Sequence, residues 1–133
     1  MRVNDWPTAL YELIEEYRFK EFQWGEHDCC LFAADCCIAV CGTDPAASYR
    51  GKYTTEIGAK RALKQQHGSI EGAFDACFSR VDANLAQRGD VVLFDGDLGP
   101  TAGIQGPEGV VWSVGLNGLA TIRPDVKVAW RVE

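Results

Sequence analysis

The sequence lacks several things that would have assigned it quickly. No apolar run approaches the roughly 20 residues that a membrane span needs. The opening stretch, Met1-Arg2-Val3-Asn4-Asp5-Trp6-Pro7, has no apolar core of the kind a secretory signal carries, so a cytosolic product is expected. There is no internal repeat, linker or low-complexity segment, and one domain over residues 1–133 is expected. Basic residues are outnumbered, 13 to 19, and the net charge is -6. An acidic surface is repelled by phosphate backbones and anionic lipid, so neither nucleic acid nor a membrane is expected as a partner. Histidine is scarce as well, with only His27 and His67.

Cysteine is present but not in the pattern of a disulfide scaffold. Five of the six cysteines, at positions 29, 30, 36, 37 and 41, fall within thirteen residues of one apparent helix. Neighbours on a helix meet disulfide geometry poorly, so these are expected to be free thiols. CxxC pairs of the zinc or ferredoxin type are missing. Cys30, Cys37 and Cys41 could share a helical face, but they would spread over about 16 Å at about 1.5 Å per residue, too far for one ion. Packing explains them better, and neither a metal nor a cofactor is expected.

The order of elements points to an α+β fold, with N-terminal helices packed on a C-terminal antiparallel sheet. Leu10, Leu13, Ile14 and Tyr17 recur at helical spacing after a start signal at Pro7-Thr8. An ordered aromatic loop is expected from Phe19 to Glu26. A second helix is expected from about Asp28 to Cys41, capped by Asp28 and stopped by Gly42. Asp35 is its only charge, so it should be buried on most sides. A turn-rich connection follows, then a helix capped by Thr54 or Thr55 and running to about Gln66. Ser69 should cap a short fourth helix reaching about Phe78. The continuous apolar run Val91–Phe94 reads as a buried strand. Further strands are expected near 101–105, 109–114, 119–123 and 126–132. Trp6, Trp24, Trp112 and Trp130 suit packing anchors.

The segment Trp24-Gly25-Glu26-His27-Asp28-Cys29-Cys30-Leu31-Phe32 is the most informative. It sets a thiol in the first turn of a helix, directly after the capping Asp28. Unpaired amides and the positive end of the helix dipole favour a thiolate there, and the same amides could hold an oxyanion. Cys29 is therefore the candidate nucleophile, against the plainer reading of one more small buried residue. His67, near a helix end, suits a solvated structural role. Gly96–Pro100 is a turn-forming stretch with neither the Lys-Ser/Thr nor the following helix of a phosphate loop, and Asp95 and Asp97 suit a solvated turn better than a cation site.

Asp28-Cys29-Cys30-Leu31-Phe32 resembles the Asp-Cys-Ser-Gly-Phe/Leu motif of NlpC-type cysteine peptidases, papain-like enzymes that cut peptidoglycan stem peptides. Arg88-Gly89-Asp90-Val91-Val92-Leu93-Phe94 is similar to that family's Pro-Gly-Asp-Leu-Val-Phe-Phe strand, and Thr101-Ala102-Gly103-Ile104 falls where it has His-Val-Gly-Ile. The whole chain is still more similar to an NlpC-like family encoded in tailed phages and prophages, with its Trp-Pro opening and Trp-Gly-Glu-His-Asp-Cys-Cys core. The resemblance implies a papain-like NlpC-type fold, synthesis in the bacterial host cytoplasm and a place at the virion tail tip, or baseplate. The implied partners are a tail hub or other baseplate proteins, with peptidoglycan as the alternative. It puts Thr101 at the position of the catalytic histidine, Cys30-Leu31 at the family's Ser-Gly, and His27 where a tyrosine often lines the cleft. His27, Asp28 and Thr101 are the candidate binding residues beside Cys29. Ser113 is the candidate third polar group, and His27 the one candidate substitute base. The expectation is thus a degenerate peptidase fold serving assembly, with active cleavage of stem peptides by Cys29 as the rival.

Overall fold

The computed structural model describes all 133 residues as four α-helices and a six-stranded antiparallel sheet, an α+β fold. Helix α1 spans Trp6–Tyr17, with Pro7 in its first turn, where a missing N–H costs nothing. Leu10 and Ile14 are buried against α2, Cys29–Cys41. Gly42 ends α2 in the left-handed conformation, φ 80°. Seven α2 residues are fully buried, including Phe32, Cys36, Cys37 and Val40, and only Ile38 breaks the cover, at 41% exposed. Asp35, its one charge, accepts from the Tyr17 hydroxyl at 2.8 Å and pairs with Arg50 at 2.7 Å. The partly buried carboxylate thus has partners for the water it loses.

Thr55 and Ser69 cap α3, Glu56–Gln66, and α4, Ile70–Asp75, each accepting from the amide three residues on at 3.0 Å. Helix α4 is shorter than expected. The chain leaves it to form a strand that the sequence did not signal, β1, Ser79–Val81. This edge strand has three residues, mostly exposed, and so carries almost no apolar pattern to read.

The other strands are β2 (Val91–Gly96), β3 (Gly99–Gln105), β4 (Val111–Gly115), β5 (Gly118–Ile122) and β6 (Val128–Arg131), in the spatial order β1-β6-β2-β3-β4-β5. β2 lies between β6 and β3 and is covered on both faces over Val91–Phe94, which is why that run is apolar. Side chains alternate between faces along a strand. Val91 and Leu93 join Ala102, Ile104 and Trp130 in the core that also holds Phe32, Ala33 and Cys36 of α2. Val92 and Phe94 join Val111 and Ala129 in a separate cluster on the other face.

Pro100 was expected in a turn but lies inside β3, opposite Asp95. The Gln105 amide donates to the Asp90 carbonyl, so odd-numbered residues of β3 bond toward β2 and even-numbered ones bond away. Position 100 therefore needs no N–H toward β2, and its other side has no paired strand, since the β3–β4 register covers only Ile104 and Gln105. The turn itself is the two-residue link Asp97-Leu98.

All six cysteines are free thiols. No tryptophan is fully exposed. Trp130 is buried and donates to Asp75 Oδ1 at 2.8 Å, Trp6 lies under the guanidiniums of Arg2 and Arg88, Trp24 packs edge-on against Phe22, and Trp112 is half-buried. No helix is long and apolar enough to cross a membrane.

Candidate functional site

The head of α2 is built by the loop before it. Asp28, 2% exposed, uses one carboxylate oxygen to cap the Leu31 amide at 2.9 Å. Its other oxygen accepts from the Gly25 amide at 3.1 Å and from the Tyr53 hydroxyl at 2.5 Å. Gly25 has a positive φ of 83°, and a Cβ there would sit 1.9 Å from the Tyr53 carbonyl oxygen. Only glycine allows so close an approach. Asp28 thus clamps three segments together and aims the first turn of α2. Tyr53, which the sequence did not single out, is part of that clamp. Burial and its bond to Asp28 push the Tyr53 hydroxyl far above the ordinary tyrosine range, so it stays a donor.

Cys29 occupies the first helical position and is half-buried. Its sulfur lies 3.8 Å from that of Cys30. On the far side stands β3. Ala102, an even-numbered residue, turns its amide away from β2, and pairing with β4 has already ended at Ile104. The Ala102 backbone thus lies free on the α2 side and helps to lower the Cys29 pKa. The Ala102 carbonyl is used too, accepting from the Ser113 hydroxyl at 3.2 Å.

The Cys30 thiol lowers the pKa of Cys29 by donating to its sulfur, and burial opposes this. The Ala102 amide reinforces the lowering, as the helix N-terminus would lead one to expect. Cys30 is pushed well up, because it supplies the proton in that hydrogen bond and is itself buried. Of the two, Cys29 is the more acidic and Cys30 the one that keeps its proton.

His27 stands two residues from Cys29 and does not serve it. It is fully buried, and neither ring nitrogen has a hydrogen-bond partner. The imidazole packs edge-on against Tyr17, with ring centroids 4.7 Å apart, and near Phe32. Burial pushes its pKa below 6.5. Thr101 lines the cleft in front of Cys29, but its hydroxyl donates to the Gly99 carbonyl at 2.9 Å. Its register partner is Phe94, of the cluster on the sheet face opposite α2. Alternation therefore gives the α2 side of β3 to Ala102. Ser113 is tied to Ala102, so it orients no base. His67 is exposed at the end of α3, where its Nδ1 shares a 2.5 Å hydrogen bond with the Tyr49 hydroxyl.

The cleft that Cys29 and Cys30 enter has a volume of about 610 Å³ and a mostly apolar lining. Against this geometry, the family model for a domain of unknown function, DUF6950, matches residues 1–132. The chain belongs to the DUF6950 family. No curated protein matches it. In this DUF6950 chain no group of three or more His, Cys, Asp or Glu side chains is placed to hold a metal ion. Asp95 pairs only loosely with Lys127, at 3.9 Å. The arrangement can stabilise a thiolate and present it to an apolar ligand. It offers no imidazole to shuttle a proton. No local sequence pattern signals the Ala102 amide, because its freedom depends on where two strands part.

Proposed function

We propose that this protein is a catalytically degenerate relative of the NlpC-type, papain-like cysteine peptidases, acting as an assembly component of a phage or prophage tail tip. The observation that carries the degenerate half is the isolation of Cys29. Its sulfur is prepared by the head of α2, by Cys30 and by Ala102, while His27 is locked away against Tyr17 and Thr101 is bonded to its own hairpin. A peptidase must deliver a proton to the leaving amine, and a helix N-terminus cannot. The sequence resemblance supports the tail-tip half, through the Trp-Gly-Glu-His-Asp-Cys-Cys core and the Arg-Gly-Asp strand. In that reading the partner is a tail hub or another baseplate protein.

The rival, an active endopeptidase on peptidoglycan stem peptides, draws its support from the depressed Cys29 pKa and the accessible cleft. Purified peptidoglycan incubated with wild type and with Cys29→Ala separates the two. Positioned acid–base groups are worth about 10²–10⁴-fold in rate, so wild type is expected to release muropeptides no faster than the variant. Tail tips should assemble with either protein when a deletion strain is complemented. Robust release by wild type that vanishes in Cys29→Ala would establish the endopeptidase instead.

A further inference from the structure

The cleft and its two thiols make a combination that the assembly role leaves unused. The cavity, about 610 Å³, falls within the ~300–1,000 Å³ range of small-molecule sites. Trp24, Leu63, Ile70, Phe74 and Phe94 contribute to its walls. Its one cationic side chain, Lys60, is tied to Glu56 at 3.0 Å, while Asp95 and Asp97 add negative charge. Such a lining gives a carboxylate-bearing peptide no free cation to pair with. It suits an uncharged, apolar chain.

The absent acid also limits which bonds the Cys29 sulfur can break. An amine leaving group must be protonated as it departs. A thiol leaving group, with an ordinary pKa near ~8.5, departs as the thiolate and needs no acid. Thioesters are thus the acyl donors that this site is equipped to use.

We propose that Cys29 takes an apolar acyl group of medium length from an acyl thioester and holds it, as a new thioester, in the cleft. The Cys29 sulfur attacks the acyl carbon and forms the S–C bond. The reacting form is the Cys29 thiolate, and the carbonyl electron pair moves onto oxygen, where the amides at the head of α2 can stabilise it. That pair then returns, the bond to the donor sulfur breaks, and the donor leaves as a thiolate. Nothing is oxidised or reduced, since one thioester replaces another. Hydrolysis of the product would need a base to take a proton from water. With none in place, the acylated protein accumulates to one equivalent. The proposal shares with the assembly reading only the missing base, and peptidoglycan release and thioester exchange are scored independently.

Intact-protein mass spectrometry with octanoyl and acetyl thioesters of N-acetylcysteamine tests this. One octanoyl group is expected, located on Cys29 by peptide mapping and removed by hydroxylamine. Octanoyl should react roughly 100-fold faster than acetyl, because each buried methylene is worth roughly fourfold and only part of the chain is covered. Cys77, the exposed cysteine, is the internal control and should label slowly with no preference for chain length. Cys29→Ala should abolish the adduct. Leu63→Asp, which leaves the thiols intact, should slow octanoyl transfer far more than acetyl transfer and so erode the octanoyl preference. No adduct, equal rates for the two donors, or labelling of Cys77 as fast as Cys29 would each overturn the proposal.

Discussion

The carboxylate of Asp90 and the imidazole of His27 are both sealed from solvent, yet Asp90 accepts four hydrogen bonds and His27 makes none. Arg2 and Arg131 reach Asp90 at 2.8 and 3.0 Å, and the amides of Gln87 and Val132 complete its shell at 2.9 and 3.1 Å. Burying a charge is expensive unless partners replace the lost water, and here four do. The result ties both chain ends to the start of β2. Arg2 adds bonds to the carbonyls of Val132 and Arg88. His27 is held by shape alone, between Tyr17 and Phe32. A neutral buried ring without partners is a stability cost of about 1–3 kcal/mol relative to a satisfied one. The contrast separates two uses of a polar residue. Asp90 is fastened into the scaffold, whereas His27 sits beside the site without joining it. Reaching the Cys29 sulfur would require pulling the ring out of its aromatic packing.

Removing the anion should break that contrast most severely. Asp90→Ala leaves two guanidiniums and two amides facing an empty space, and a loss of about 3–5 kcal/mol is expected in urea unfolding. A loss below about 1 kcal/mol would show that the knot is dispensable, in the range of an exposed ion pair. Asp28→Ala should come next. It deletes a helix cap, at about 1–2 kcal/mol, and strands the Tyr53 hydroxyl and Gly25 amide as well. Unchanged stability in thermal melts would mean that the loop holds α2 in place without the clamp.

The smallest effect should come from His27→Phe, and its sign is opposite. Replacing an unpartnered polar ring by an apolar one of similar shape should be neutral or mildly stabilising at pH 7.5. Its signature is in the pH dependence. The folded pKa of His27 lies below 6.5, so the unfolded chain binds the extra proton first. The stability of wild type should therefore fall as pH drops through 6.5 toward the lower folded value, and flatten below it. Urea titrations at a series of pH values should show that segment of the slope missing in the variant. An identical slope in both proteins would place the sensitivity elsewhere.

Much of this molecule could be read from local residues. Asp28 before an apolar run signals a cap, and the structure gives it that bond to Leu31. Gly42 stops α2, Thr55 and Ser69 start α3 and α4, and the apolar Val91–Phe94 run lies within a strand buried on both faces. Short elements with little apolar content were not legible. Ser79–Val81 becomes a strand only because β6 offers it an edge. Pro100 enters β3 because the register spares it a hydrogen bond, which no turn rule can foresee. At the site, the position of Cys29 was legible from its cap. The direction of the His27 ring was not, nor was the face on which Thr101 falls.

That division has one physical cause. Caps, helix periodicity and strand patterning involve residues within a few positions of one another, so the sequence alone determined a capped, nearly uncharged helix with Cys29 in its first turn, followed by strands. The influence of the Ala102 backbone on Cys29, the Tyr53 hydroxyl on Asp28 and the Asp90 knot join residues 25 to 88 positions apart. Such contacts depend on strand register and on where β3 and β4 part, and only the tertiary structure decides those, because a shift of one residue would turn each side chain to the opposite face.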